Sequence, residues 1–319
     1  MGILQLKEDP MSKHIVVGAG PVGSAVVRLL ADAGEDVCVV TRRGGTSSHP
    51  HIEHLAIDAA DRAALVAASQ GASRLYLCAQ PPYDQWPGAF PALLEGVIHA
   101  AAGVAAKLVI VGDTGGYGDA APSRLTEGLP LAPTTVNGRV RTAMWERAIA
   151  SGVPATEVRA SDRLGHGAVS LFTQLAVPGL IAGEPVSFPA DLDAIHPWTF
   201  TGDIAQTVVA ASRHPASWGR AFHAPSQHTS VRQLAMQLCQ LAGAPSPVLA
   251  RMSPGELQAL GAQDAIVREV IELLYLFERP WILDASETTR ILGVRPSPLD
   301  AVLRDILSSF AERTAPPRA

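Results

Sequence analysis

Along the first half of the chain, short apolar runs alternate with longer segments of mixed polarity. The runs "HIVV" (14–17), "DVCVV" (36–40), "HLAI" (54–57), "RLYLCA" (74–79), "KLVIV" (107–111) and "ATEVRA" (155–160) have the length of buried strands. Between them lie helix-length stretches at 24–33, 61–69, 90–102 and 138–150. Strands separated by helices predict an α/β fold, with a doubly wound parallel sheet covered by helices. The connection from 112 to 136 is long and rich in Gly and Pro, the composition of an active-site loop. After Ser161 the elements shorten and Pro becomes more frequent. The pattern predicts a first domain over 11–160. A smaller C-terminal substrate region over 161–312 is expected to return in places to the first sheet. Residues 1–10 precede a second methionine, Met11, and are read as a disordered leader; 313–319 are read as a frayed tail. "VIELLYLFERP" (270–280) has helical spacing of apolar residues and is expected in the core.

Composition narrows the partners. The chain has 319 residues, 47 % hydrophobic, enough for a large core. A net charge of −5 offers no basic surface for nucleic acid or an anionic membrane. No apolar run is long enough to span a bilayer, and no export signal is visible, so a cytoplasmic location is expected. Cys38, Cys78 and Cys239 are odd in number and far apart, and read as free thiols. His49, His51 and His54 are irregularly spaced in a loop without a partner cysteine or carboxylate cluster, so no metal site is expected. No G-x-S-x-G elbow is present, which disfavours an acyl-transfer hydrolase.

The strongest local signal is "IVVGAGPVGSAV", a G-x-G-x-x-G placed between the first strand and the first helix. Gly18 permits the tight turn, Gly20 lets the backbone approach a pyrophosphate, and Gly23 lets the helix pack close to the strand. Pro21 and Val22 complete the loop at the helix start, whose free N–H groups suit phosphate. The bland alternative is a strand–helix turn with no ligand. An acid at the end of the second strand would hold the 2′-hydroxyl of NAD, but this chain has "TRR" there. Arg42 and Arg43 suit the 2′-phosphate of NADP, or else are solvated loop arginines. NADP is therefore expected ahead of NAD, and FAD lacks a second motif.

These features, with "AIDAADRAAL", "VIVGDTGGYG", "GRVRTAMWERA", "VRASD" and "HPWTFTGDIAQTVV", resemble the extended short-chain dehydrogenase/reductase superfamily, of the epimerase/dehydratase type. The resemblance runs from Lys13 to about Phe310. It implies a Rossmann-type fold binding a nicotinamide dinucleotide. It implies that Asp58 bonds the adenine amino group, and that Ala79 and Gln80 lie against the adenosine ribose, with Pro81 in the same cofactor shell. It also implies that "FTGDIA", with Asp203, closes the substrate side. Extended members commonly dimerise through the helices after the fourth and fifth strands. The apolar repeat in "FPALLEGVIHAAAG" and the small residues in "RVRTAMWERAIA" fit a homodimer.

The departures concern catalysis. The superfamily's proton relay is a Tyr and a Lys four residues apart on the helix after the long loop. Here the two registers give Asn137 with Arg141, or Gly138 with Thr142, and neither supplies a Tyr. The usual Ser or Thr position holds Asp113, with Thr114 beside it. Asp113 is a candidate acid or base, or else a loop cap. Tyr117 is a candidate donor or a lining of the mouth, and Arg141 a candidate cation for it or for the nicotinamide ribose. Thr114 could bond a substrate carbonyl or its own backbone. Arg159, Asp162, His196 and Trp198 are candidate substrate contacts; for His196 and Trp198 a hydrogen-bonded structural His and a packed aromatic are equal alternatives. The reading is an NADP-dependent oxidoreductase acting on a carbonyl, alcohol, imine or activated alkene of a small apolar molecule. The alternatives are an isomerase, lyase or cyclase that returns its cofactor unchanged, or a non-catalytic dinucleotide sensor.

Overall fold

A computed structural model describes residues 13–263 and 271–314. The leader 1–10 and residues 315–319 of the tail lie outside them, as does Val270 of "VIELLYLFERP". Residues 313 and 314 are not frayed tail: they complete the last helix, Leu299–Thr314.

The central sheet has seven strands: β1 (Lys13–Val17), β2 (Val37–Thr41), β3 (Ile52–Ala56), β4 (Ala72–Leu77), β5 (Lys107–Asp113), β6 (Ala155–Ala160) and β7 (Ala221–His223). Their order is β3-β2-β1-β4-β5-β6-β7, and every pair is parallel. This is the doubly wound α/β arrangement the sequence predicts. β1 and β2 are buried nearly throughout because helices cover both faces, so their sequences run largely apolar instead of alternating; β6 is buried as well but carries Thr156, Glu157 and Arg159. The chain winds outward from β1 one way and from β4 the other. That reversal opens a crevice at the carboxyl ends of these two strands.

Four helices flank the strands of the first half: α1 (Pro21–Asp32), α2 (Arg62–Ala68), α3 (Trp86–Gly103) and α4 (Val136–Ala150). α1 starts three residues before the predicted Ser24 because Pro21 sits in the first turn, where a missing N–H is harmless. Asp61 caps α2 by accepting from the Ala64 N–H at 3.1 Å, and Thr135 caps α4 by accepting from Gly138 at 3.0 Å. On one face of the sheet Leu65, Phe90, Leu94 and Val97 pack on Ile15, Leu75 and Leu108. On the other, Val26 and Leu30 join Ile204 and Val208 of the helix Thr201–Arg213 against Val16 and Val109. The apolar repeat of α3 is thus spent largely on its own sheet.

A third core, with Phe172, Phe188, Trp198, Leu234, Trp281 and Leu303, lies in the C-terminal region. Asp203, in the first turn of Thr201–Arg213, is buried and accepts from both the N–H and the hydroxyl of Ser297, at 2.8 and 2.6 Å. It ties the helix to the segment before the last helix. Residues Leu274–Phe277 form a tight helical turn, with Leu274, Leu276 and Phe277 buried. Among the described residues no helix is long and apolar enough to cross a membrane.

Candidate active site

The crevice is a cleft of about 1900 Å³ that runs from the β1–α1 turn to the C-terminal region. Small-molecule sites usually occupy roughly 300–1,000 Å³, so this one has room for a dinucleotide and a second molecule.

The glycine turn is built for close approach. Gly18 has φ +102°, and a Cβ there would lie 2.5 Å from the Ala79 Cα. A Cβ on Gly23 would lie 2.0 Å from the Gly18 carbonyl oxygen. Gly20 differs: a Cβ would meet nothing within 4 Å, so this position faces open cleft. No side chain caps α1, whose first residues, Pro21 and Val22, line the cleft. Its free N–H groups and dipole are left for an anion. Arg42 and Arg43 are exposed on the rim beyond β2, and Asp58 beyond β3. One oxygen of Asp58 is already used by the Ala60 N–H at 3.0 Å. Ala79, Gln80 and Pro81 follow β4 along the floor. Cys78 lies beside them, but burial pushes its thiol up to about 12, so it offers no thiolate. The nearest acids in sequence to β2 face elsewhere. Asp36 holds His51 at 2.8 Å, and Glu35 holds His14 and Arg213.

At the other end of the cleft, β5 delivers Asp113 and Thr114. Asp113 Oδ1 accepts from the Gly115 N–H at 2.9 Å, so it does cap its own loop. Its Oδ2 lies 2.8 Å from Arg141 Nε, an ion pair whose N–H is not aligned with the oxygen. Arg141 was a candidate cation for Tyr117 or for the nicotinamide ribose. Instead it is buried behind Asp113, its guanidinium 4.5 and 4.4 Å from the centres of the Trp86 and Phe90 rings. Its Nη1 donates to the Val111 carbonyl at 3.3 Å. It fixes the carboxylate and leaves the cleft to Asp113.

Of the two registers on α4, Asn137 with Arg141 is the one that fits. A Cβ at Gly138 would lie 2.5 Å from the Gly115 carbonyl oxygen, so no side chain could leave from there. Asn137 lines the cleft, and its Oδ1 is buried without a hydrogen-bond partner. An unpaired buried acceptor costs about 1–3 kcal/mol and calls for a donor from a bound molecule, such as a ribose hydroxyl. The uncapped α1 suits a pyrophosphate, and this orphan acceptor suits a ribose hydroxyl farther along the cleft.

Four other candidates are placed away from the cleft. Tyr117, expected at the mouth, is 2 % exposed; its hydroxyl accepts from Arg159 Nη1 at 3.0 Å and donates to His223 Nε2 at 2.6 Å. Burial holds this phenol above its ordinary pKa. Arg159 is buried too, its Nε donating to Glu157 Oε2 at 2.6 Å. Trp198 is a core residue, donating to the Thr229 carbonyl at 3.0 Å. His196 stacks on Phe277 with ring centres 3.9 Å apart. Its nitrogens lie 3.0 Å from the Leu276 carbonyl and 2.9 Å from Asp162 Oδ2. β6 and the strand His196–Phe200 turn Arg159, His196 and Trp198 into the cores between layers, and Tyr117, in the turn Gly115–Tyr117 after β5, is held inward by Arg159 and His223. Only Asp162, Leu276 and Phe277 from this group reach the cleft.

Among the lining residues the sequence reading did not name are Arg163 and Tyr83. Arg163 lies half-buried in the wall and donates from Nη1 to Gln80 Oε1 at 2.9 Å. Tyr83 sits in the short turn Tyr83–Gln85 after β4 and lines the same space. An aromatic hydroxyl in a Pro-rich loop at a strand's carboxyl end was the available signal.

The sequence model of the NAD dependent epimerase/dehydratase family matches residues 14–223. This chain belongs to that family. No curated protein matches it. Among solved structures it is similar to UDP-glucuronic acid 4-epimerase from Bacillus cereus in complex with NAD, at 14 % identity and TM-score 0.78, over 95 % of this chain and 97 % of that one. It is also similar to the Bordetella bronchiseptica enzyme WbmH in complex with NAD⁺, at 20 % identity and TM-score 0.73, over 96 % and 100 %. UDP-glucose 4-epimerase from Thermotoga maritima aligns at 17 % identity and TM-score 0.75, over 95 % and 100 %. At such identities the likeness is one of fold. The epimerase/dehydratase-family chain is an enzyme of the nicotinamide-dinucleotide type, and it carries Asn137 where the superfamily's tyrosine would stand.

Proposed function

We propose that this enzyme is an NADP-dependent oxidoreductase acting on a carbonyl, alcohol, imine or activated alkene of a small apolar molecule. The observation that carries this is the substrate wall. Leu171, Leu175, Leu260, Leu273, Leu276 and Phe277 line the cleft beyond Asp113. Among the described residues the cation on that side is Arg163, which is engaged by Gln80. A nucleotide sugar carries a diphosphate, which needs arginines, lysines or free N–H groups. A leucine-rich wall suits a substrate with little charge.

A nicotinamide dinucleotide bound here would supply or accept the hydride. Gly18, Gly20, Pro21, Val22 and Gly23 would cradle its pyrophosphate, Arg42 and Arg43 would read the 2′-phosphate, and Asp58, Ala79, Gln80 and Pro81 would flank the adenosine. Asn137 would accept from the nicotinamide ribose. Asp113, fixed by Arg141, and Thr114 would hold the substrate's polar group. Asp162, held by His196, would bound the far side. The free thiols of Cys38, Cys78 and Cys239 suit a reducing cytoplasm. The test is NADPH oxidation at 340 nm against a panel of apolar aldehydes, ketones and enones, beside UDP-glucose and UDP-glucuronate binding. Turnover of an apolar carbonyl is expected. Tight binding of either UDP-sugar, with none of the panel turned over, would overturn the reading.

A second reading has its own support. The family includes epimerases and dehydratases, and the structural neighbours named above include UDP-sugar 4-epimerases. An isomerase or lyase on this scaffold would return its cofactor unchanged, so substrate would be consumed with no net change at 340 nm.

A further inference from the structure

The chain has four tyrosines, and of these only Tyr83 lines the cleft. We propose that Tyr83 is the proton donor to the substrate oxygen, with Gln80 and Arg163 as its positioning pair. The assignment rests on the oxidoreductase reading above and moves the proton relay from α4 to the loop after β4.

The phenol is held rigidly. Pro81 and Pro82 precede it, and the Tyr83 ring stacks on Trp86 with centres 4.7 Å apart and planes 18° from parallel. Trp86 is itself pinned, its Nε1 donating to the Pro81 carbonyl at 2.9 Å. Such a side chain loses little further freedom when substrate binds, which favours a well-placed acid. Gln80 accepts from Arg163 at 2.9 Å and so anchors the guanidinium on the same cleft wall as the phenol. Arg163 also acts on the phenol by charge, opposed by Asp113 and Asp162 on the cleft wall. Burial keeps the phenol protonated and hence a donor.

The competing donors are weaker. Asp113 has one oxygen in its own loop and the other beside Arg141. Asn137 carries no acidic proton. Tyr117 spends its proton on His223. In the reductive direction the carbonyl carbon receives the hydride of a reduced nicotinamide dinucleotide. The C=O π pair moves to the oxygen, and the oxygen takes the Tyr83 proton. The resulting phenolate lies beside the Arg163 guanidinium until water returns a proton.

The test uses 6-propionyl-2-dimethylaminonaphthalene, an apolar aryl ketone whose emission moves to the red when its carbonyl accepts a hydrogen bond. Tyr83→Phe keeps the ring and its stack on Trp86. The wild type is expected to bind the ketone and emit to the red of Tyr83→Phe, with affinity changed by no more than about tenfold, the worth of one neutral hydrogen bond. With any carbonyl the enzyme reduces, Tyr83→Phe should lower turnover by roughly 10²–10⁴-fold at unchanged NADPH affinity. Arg163→Met should lower it less and move the alkaline limb of the pH profile upward. Equal emission from wild type and Tyr83→Phe, or equal turnover, overturns the donor assignment and leaves the apolar-substrate reading standing. Failure of the wild type to bind the ketone overturns both.

Discussion

Two side chains illustrate how far a residue's role depends on what surrounds it. Asp113 is tied to Gly115 N–H and to Arg141, so it is both a loop cap and a fixed carboxylate on the cleft wall. Asp113→Asn keeps the loop contact and removes the charge. It should weaken binding of an apolar alcohol, whose hydroxyl the carboxylate accepts from, about tenfold or more while leaving NADPH affinity within about twofold, as read by separate titrations. Arg42 makes the opposite prediction. Arg42→Ala should weaken NADPH by about ten- to hundredfold, from losing one charge-assisted contact of about 1.5–3 kcal/mol. NADH should be nearly unaffected. Equal loss for both cofactors would exclude a 2′-phosphate contact. His223 sets a third. It is fully buried, donates from Nδ1 to the Asp284 carbonyl at 2.8 Å and accepts from Tyr117. Burial lowers its pKa from 6.5 to about 4. Between those values the unfolded chain binds the extra proton, so stability is full above pH 6.5 and falls as pH drops toward 4. The loss from this residue is on the order of 3 kcal/mol. Urea midpoints at pH 7 and about pH 4.5 should show it, and His223→Gln should flatten that slope.

Among elements, the β1–α1 unit was legible in sequence almost completely, because its constraints are local. The positive φ at Gly18 and the close contact of Gly23 with the Gly18 carbonyl are supplied by neighbours in sequence; the approach of Gly18 to Ala79 is the long-range exception. Gly23→Ala should cost about 1–3 kcal/mol through overpacking against the Gly18 carbonyl, measurable as a fall in Tm. Gly20→Ala meets open space and should leave Tm unchanged while weakening dinucleotide binding. α4 was less legible. Its two registers look equal as sequence, and only the contact of Gly138 with the Gly115 carbonyl separates them. For the strand His196–Phe200 the sequence leaves pocket lining and core packing as equal alternatives for His196 and Trp198. The strand is the middle of a three-stranded sheet, between Asp162–Leu164 and Gln227–Thr229, and its large side chains fill the core.

For the whole molecule, the layered sheet accounts for the cleft and for much of the surface. The apolar repeat of α3 faces the sheet, and Arg147 of α4 holds Glu95 of α3 through two bonds of 2.6 and 3.0 Å on the outer side. A homodimer through these helices would therefore rest on small outward residues such as Ala143 together with Ile149. We expect a dimer mass by light scattering at micromolar concentration, reduced to a monomer by Ala143→Arg; a monomer mass for the wild type would remove the proposal.

The sequence by itself determined the alternation of strands and helices, the glycine turn, the arginines after β2 and the missing Tyr–Lys pair. These are set by spacing within a few residues, which a linear pattern records. Tertiary structure alone decided which polar side chains share the cleft. For Tyr117, Arg159, His196 and Trp198 the sequence leaves a site role and a buried one open; the fold places all four in buried, satisfied networks. Gln80 and Arg163 stand 83 positions apart and meet only because β4 and β6 end at the same edge of the sheet. A hydrogen bond between such distant residues leaves no periodic trace in the chain. It exists once strand order and register have been fixed by burial of the apolar core.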